Sequence, residues 1–188
     1  MEAACLDFLN SEFHDFRGRW VEDRLQKPEW RAEFLMRWNL VVEDQPDERV
    51  LSELTELRGL LRRIVESLGT AGPLEADLAL LNQYMNRTVP LPRMFREGET
   101  YQLEFVPARK DWNWVMSEVA ISFADLLVHG DIRRIKICEN TLCHWIFYDE
   151  SKSRTRRYCS PEKCGNLLKL RRFRARHPGT KEATPAAE

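Results

Sequence analysis

The sequence lacks any uninterrupted apolar run of membrane-spanning length; even the apolar stretch 115–128 carries Glu118 and Asp125. No contact with a membrane is therefore expected. The first residues, Met1-Glu2-Ala3-Ala4-Cys5, offer neither a basic n-region nor an apolar h-region. A secretory signal is thus not expected, and a reducing, cytoplasmic setting is the default. Internal repeats and a low-complexity linker are also missing. Nor is there a Gly-rich phosphate loop, a nucleophile elbow or a His-Glu-x-x-His helix, so the enzyme classes most readable from sequence find no support. Catalytic groups assembled only by folding escape such a search, but the expectation is a protein that is not an enzyme.

What is present fits one folded domain with a real core plus a small module. The chain has 188 residues, 43% of them apolar, with six tryptophans. A net charge of -1 conceals a strong asymmetry. Residues 133–176 carry thirteen Lys or Arg against four Asp or Glu, whereas residues 1–132 carry fifteen against twenty-four. A cationic C-terminal part favours polyanions or an acidic protein surface.

In chain order, Leu6-Asp7-Phe8-Leu9 is compatible with a short strand or with the first turn of a helix. A helix is predicted from Pro28, with Trp30, Phe34, Trp38 and Val41 on one face. This face is read first as core, and Trp30 and Trp38 are also candidates for lining a ligand pocket. Residues 51–68 repeat with helical period up to the breaker Gly69-Thr70-Ala71-Gly72-Pro73. A third helix is predicted over residues 74–87, with Leu74, Leu78, Leu81 and Met85 inward. The period then changes, and residues 89–95 and 100–106 read as a hairpin whose prolines put the first strand at an edge. A last helix, residues 111–129, buries Val115, Val119, Phe123, Leu126 and Leu127 and stops at Gly130. The expected class is mainly α with a small β-hairpin (α+β). It divides into a helical body over 1–131, a finger over 132–177 and a disordered tail over 178–188.

Four of the five cysteines follow the junction as Cys138-x4-Cys143 and Cys159-x4-Cys164. Two matched pairs in a reducing compartment point to tetrahedral thiolate ligation of one structural zinc ion rather than to disulfides. His144 is an alternative ligand, disfavoured because it adjoins Cys143. Cys5 reads as a small buried apolar residue. Residues 145–148 and 155–158 are strand-like, and Ser160-Pro161-Glu162 is a helix start that puts Cys164 in the first turn. Knuckle, hairpin and helix together make a treble-clef-like module that depends on its metal to fold. The helix beyond carries Lys169, Arg171, Arg172, Arg174 and Arg176, opposite a stripe of Leu167, Leu170 and Phe173 expected to seat it. With Arg154, Arg156 and Arg157, these cations are the candidate nucleic-acid contacts.

These residues resemble a known family. Cys138-x4-Cys143, Phe147-Tyr148-Asp149-Glu150-Ser151, Arg156-Arg157-Tyr158-Cys159-Ser160 and Cys164-Gly165-Asn166 followed by Lys169 are similar to the CGNR zinc finger. Cys5-Leu6-Asp7-Phe8-Leu9-Asn10-Ser11 is similar to the start of the ABATE domain that precedes that finger in its relatives. One departure stands out: the motif's final Arg is Leu167 here. The resemblance implies a zinc-containing, DNA-binding transcription regulator. The finger would contact duplex DNA, and the body would sense a small-molecule effector or form a homodimer. An RNA-binding protein, with Trp145, Phe147 and Tyr148 stacking bases, and a protein-interaction module with a structural zinc remain the alternatives.

Overall fold

The structure is a computed structural model that describes residues 2–177, so the tail predicted over 178–188 lies outside the described residues. Its centre is helix α1 (Ala4–Leu9), which buries Ala4, Cys5, Leu6, Phe8 and Leu9. That settles the ambiguity at residues 6–9 in favour of helix. Six residues cannot sustain a helix alone. This one persists because α5 (Trp112–His129) and α3 (Glu48–Ser67) enclose it.

Each long helix starts where its sequence provides a cap. The carboxylate of Asp47 accepts from Val50 N–H at 2.8 Å, and that of Asp111 accepts from Trp114 N–H at 3.1 Å. Helix α2 (Pro28–Arg37) opens on proline, whose missing N–H costs nothing at a first helical position. At the end of α5, a Cβ on Gly130 would lie 2.4 Å from the Leu126 carbonyl oxygen, so the chain can turn away there only without a side chain. Helix α4 (Glu75–Met85) packs on α5. Phe8, Leu54, Leu57, Leu61, Ile64, Val119 and Phe123 fill the space among these helices with almost no exposure. Two inward positions read from the sequence are corrected: Val41 and Leu74 are exposed, because each lies beyond the end of its helix.

The strands form three separate antiparallel pairs among the described residues. Strands β1 (Glu12–His14) and β2 (Val21–Asp23) make a short hairpin with no counterpart in the sequence reading. Strands β3 (Pro90–Glu97) and β4 (Thr100–Pro107) are the predicted hairpin, turned by Gly98 at a φ of 63°. This hairpin projects into solvent. Strands β5 (Ile135–Ile137) and β6 (Ile146–Tyr148) flank the first cysteine pair.

The finger does not hang free. Ile135 and Ile146 belong to the same buried cluster as the helices of the body, and Ile137 and Tyr148 pack against it. The buried Asn10 amide donates to the Ile146 carbonyl at 2.8 Å, and its oxygen accepts from Ile146 N–H at 2.9 Å. One side chain at the end of α1 thus completes the backbone hydrogen bonding of a finger strand.

Candidate metal centre and nucleic-acid interface

The cysteine centre is built by two different turns. In the first, Cys138 N–H donates to the Trp145 carbonyl and Cys143 N–H to the Asn140 carbonyl, each at 2.8 Å. This folds residues 138–145 back on themselves at the end of the β5–β6 pair. In the second, Ser160 caps the turn Pro161–Gly165 by accepting from Lys163 N–H at 3.2 Å. The turn is π-helical, with Gly165 N–H reaching the Ser160 carbonyl at 3.0 Å, and it runs directly into α6 (Asn166–Arg176). Cys164, fully buried, is thereby brought beneath Cys159.

The four sulfurs lie within 4.8 Å of one another. A tetrahedral zinc with Zn–S near ~2.3 Å requires sulfur–sulfur edges of about 3.8 Å. Cys143 to Cys159 is 3.6 Å and Cys159 to Cys164 is 3.8 Å. Thiols this close compete for protons. Hydrogen bonds from Cys143 and Cys159 hold Cys138 far below the usual thiol range, and the contact with Cys138 pushes Cys143 and Cys159 upward. A divalent cation removes the conflict by letting all four ionise. The Asn140 amide donates to Cys164 Sγ at 3.3 Å, and Cys159 N–H to Cys138 Sγ at 3.5 Å, as metal-bound thiolates require. The donor set fits one structural zinc with a closed thiolate shell. His144 stands outside it, in the left-handed region at φ 55°. Cys5 is also remote, and burial pushes its thiol up to about 11.

Segment 155–158, expected to be strand-like, is held as a loop instead. Asp149, with no exposed surface, takes Lys136 Nζ at 2.6 Å, the Ser151 hydroxyl at 2.6 Å and Arg156 N–H at 3.0 Å. Burial alone would raise its pKa, but these donors, Lys136 foremost, hold it well below the usual carboxylate range. With 149–156 curled around this carboxylate, β6 pairs with β5; the Arg157 carbonyl accepts from Glu139 N–H at 3.0 Å, and the carbonyls of Arg154 and Arg156 accept from Lys136 Nζ at 2.6 and 3.1 Å.

The eight candidate nucleic-acid residues separate into two groups. Arg154 pairs with Asp131 at 3.0 Å, and Arg157 clasps Glu139. The Arg156 guanidinium lies over the Phe147 ring, 4.8 Å from its centroid, and donates to the carbonyls of Tyr158 and Cys159. These three brace the finger. Lys169, Arg171, Arg172, Arg174 and Arg176 stand on α6, every residue of which is at least partly exposed. Arg172 donates to the Tyr158 hydroxyl at 3.1 Å, and the five cations make no ion pair among the described residues. The expected seating of the opposite stripe is corrected. Leu170 and Phe173 are 45% and 48% exposed: among the described residues α6 extends past the finger, and Phe173 is stacked only on His177 of its own helix end.

The aromatic candidates are also dispersed. Trp30 stacks on Phe34 and borders only a gap of about 10 Å³. Trp38 donates from its indole N–H to Asp7 at 3.1 Å and borders clefts of about 450 and 290 Å³. The two do not share a cavity. Phe147 is buried, so it offers no free face for a base; Tyr148, whose hydroxyl accepts from Asp131 N–H at 3.0 Å, and Trp145, edge-on to Phe13, are half-buried. Asn10, Asn140 and Asp149, which tie the site together, were missed as functional residues. Their only signal was position: Asn10 in the opening stretch, Asn140 between the first two cysteines and Asp149 after the aromatic strand.

Comparison with known proteins agrees with this architecture. No curated protein matches the sequence. No helix among the described residues is long and apolar enough to cross a membrane. A family model described as "CGNR zinc finger" matches residues 134–177, and one described as "Putative stress-induced transcription regulator", ABATE, matches residues 2–130. The chain therefore belongs to the ABATE family and carries a CGNR zinc finger after its ABATE domain.

Proposed function

We propose that the protein is a cytoplasmic transcription regulator whose α6 binds the phosphates of duplex DNA, with the ABATE body receiving an effector or a second copy. One observation carries the reading. Of the finger's four acidic side chains, Asp149 is engaged by Lys136, Glu139 by Arg157, and Glu162 accepts from the Ser160 hydroxyl, while α6 has no acidic residue at all. The five exposed cations of α6 make no ion pair among the described residues, and a helix of about 10–12 Å diameter fits a major groove about 12 Å wide. Leu167, at the position of the motif's Arg, sits half-buried near the root of that helix, away from its cationic tip.

The test is fluorescence anisotropy of the zinc-loaded protein with labelled duplex DNA and single-stranded RNA across a salt series. Binding should weaken by about 0.9 in log K per log unit of salt for each phosphate neutralised. It should collapse when Arg171, Arg172, Arg174 and Arg176 are changed to Ala. Absent or salt-insensitive binding overturns the proposal, and a preference for single strands makes the protein an RNA binder. The exposure of Leu170 and Phe173 favours a second reading, in which α6 lays its apolar stripe on an acidic protein partner.

A further inference from the structure

Between the β1–β2 hairpin and the finger lies a cleft of about 340 Å³ to which neither matched family description assigns a role. One wall is aromatic. Phe13 stacks on Trp20 with centroids 5.2 Å apart and planes inclined by 26°, and Trp145 meets Phe13 edge-on at 5.9 Å and 79°. The opposite wall is the start of the finger helix, Ser160 and Lys163, and the floor is the cysteine cluster.

The cleft is held open by its frame. The Phe16 carbonyl accepts from the buried Asn140 amide at 2.7 Å, and the turn at Gly18, φ 76°, lies against Leu142. A side chain on Gly18 would approach Leu142 Cδ1 to 3.0 Å, so the hairpin presses on the zinc knuckle as closely as glycine permits. Trp20 is nevertheless 47% exposed. A large indole already stacked on one neighbour, and left half in water beside a preformed hollow, offers a face for another flat ring.

The polar end carries one cation, Lys163, beside a floor that is anionic when the four thiolates hold zinc. Lys163 makes no ion pair among the described residues and sits in the first turn of the helix, where the peptide dipoles favour an anion. The carboxylate nearest in sequence on the aromatic side, Asp15, is already taken by Arg19 at 2.8 Å. Arg24 lies 4.0 Å from the Phe13 centroid but is paired with Glu22 at 3.4 Å, so Lys163 is the cation that remains for an anion. The volume is at the small end of ligand sites, room for one or two fused rings rather than a large cofactor.

We propose that this cleft binds a small planar aromatic carboxylate, its ring against Trp20 and its acid group at Lys163. One wall belongs to the body and the other to the helix that continues into α6, so the occupied cleft cross-links the two. The binding site stands by itself. Only its regulatory consequence rests on the DNA reading, and the test below contains no DNA.

Isothermal titration of the zinc-loaded full chain with 2-naphthoate, and with the uncharged 2-naphthamide, reads the site directly. The expected result is one naphthoate per chain, held more tightly than the amide. Trp20→Ala should weaken it by about tenfold, the scale of one lost stacking face. Lys163→Met should abolish the preference for the acid over the amide. Phe105→Ala, on the remote exposed hairpin, should change nothing. Both Trp20 and Lys163 are solvent-exposed, and zinc content with circular dichroism checks each fold. No heat at millimolar ligand, equal affinity for acid and amide in the unmodified protein, or naphthoate binding indifferent to Trp20→Ala overturns the proposal. A preference for adenosine monophosphate over naphthoate, with the same dependence on Trp20 and Lys163, also overturns it and gives the cleft to a nucleobase instead.

Discussion

The body and the finger of this chain are stabilised by different physics, and they meet along the β5–β6 pair and where the β1–β2 hairpin touches the knuckle. In the body, side chains such as Phe8, Leu61 and Phe123 lose essentially all contact with water, so its stability is that of apolar burial. In the finger, the buried cluster beyond the β5–β6 seam consists of Phe147 and three cysteines, with Phe16, Trp145, Tyr158 and Cys159 partly covered around them. That is too little apolar surface to fix some forty residues. The finger substitutes a metal and a set of ion pairs. The comparison teaches that loss of metal should be local. Strands β5 and β6 are covered by the core of the body and should survive, whereas the chain after Tyr148 is held by the metal together with polar contacts such as Lys136 to Asp149 and Arg157 to Glu139.

The largest effect should therefore come from the metal. Chelation, or Cys164→Ser at the fully buried ligand, should remove binding energy on the order of 10–16 kcal/mol from the finger. Residues 149–177 should lose their amide protection in hydrogen exchange while α1, α3 and α5 keep theirs. If the body melted together with the finger, the two regions would be one cooperative unit and the contrast would fail.

A core truncation should produce the converse. Leu61→Ala in α3, at a position with no exposure, should cost the body about 2–5 kcal/mol in urea unfolding. Zinc affinity of the folded protein should stay unchanged, because no atom of Leu61 reaches the cysteine cluster. A parallel loss of zinc would mean that the body positions the ligands more directly than the shared strands suggest.

The seam itself is sharpened by Asn10→Ala. It strips β6 of both partners of Ile146 and leaves a buried N–H and C=O unpaired, a cost of about 1–3 kcal/mol. The expected signature is earlier exchange at Ile146 and its neighbours, with body and finger melting at more widely separated temperatures. Asn10→Asp should not rescue it, since a carboxylate replaces the required donor.

How much of this was legible beforehand follows from the range of each interaction. The cysteine pairs, the cap Ser160 and the proline start at Pro28 act within a few residues, and the sequence displays them. The mixed α+β class followed from the helical periods and the alternation across β3 and β4. Asn10 acts across 136 residues, and nothing local marks it. The pairing of β6 was misread because residues 155–158 have strand-forming side chains, yet Asp149 captures the backbone of Arg156 first. Strands of three residues, such as β1 and β2, are too short to show a period. The three arginines of 154–157 looked like nucleic-acid contacts by charge alone. The structure gives each of them an internal partner, Asp131, Phe147 or Glu139, which charge alone does not show.

That division of the cations yields the smallest structural effect and the most discriminating one. Arg157 and Glu139 are both exposed, and an exposed ion pair contributes little in water, so Arg157→Ala should leave the thermal melt almost unmoved. Arg174→Ala should leave it unmoved as well, since Arg174 makes no ion pair among the described residues. The two variants should part company in polyanion binding. If α6 binds phosphates as proposed, losing Arg174 should remove one contact and lower the salt slope by about 0.9. Losing Arg157 removes no such contact but frees the Glu139 carboxylate beside Arg172, whose positive charge already depresses the pKa of Glu139, after the larger influence of Arg157. Affinity should then fall through repulsion, with a smaller change in slope. If both variants lowered the slope equally, Arg157 would be a contact in its own right, and the boundary drawn between bracing and binding cations would have to move into the loop before Cys159.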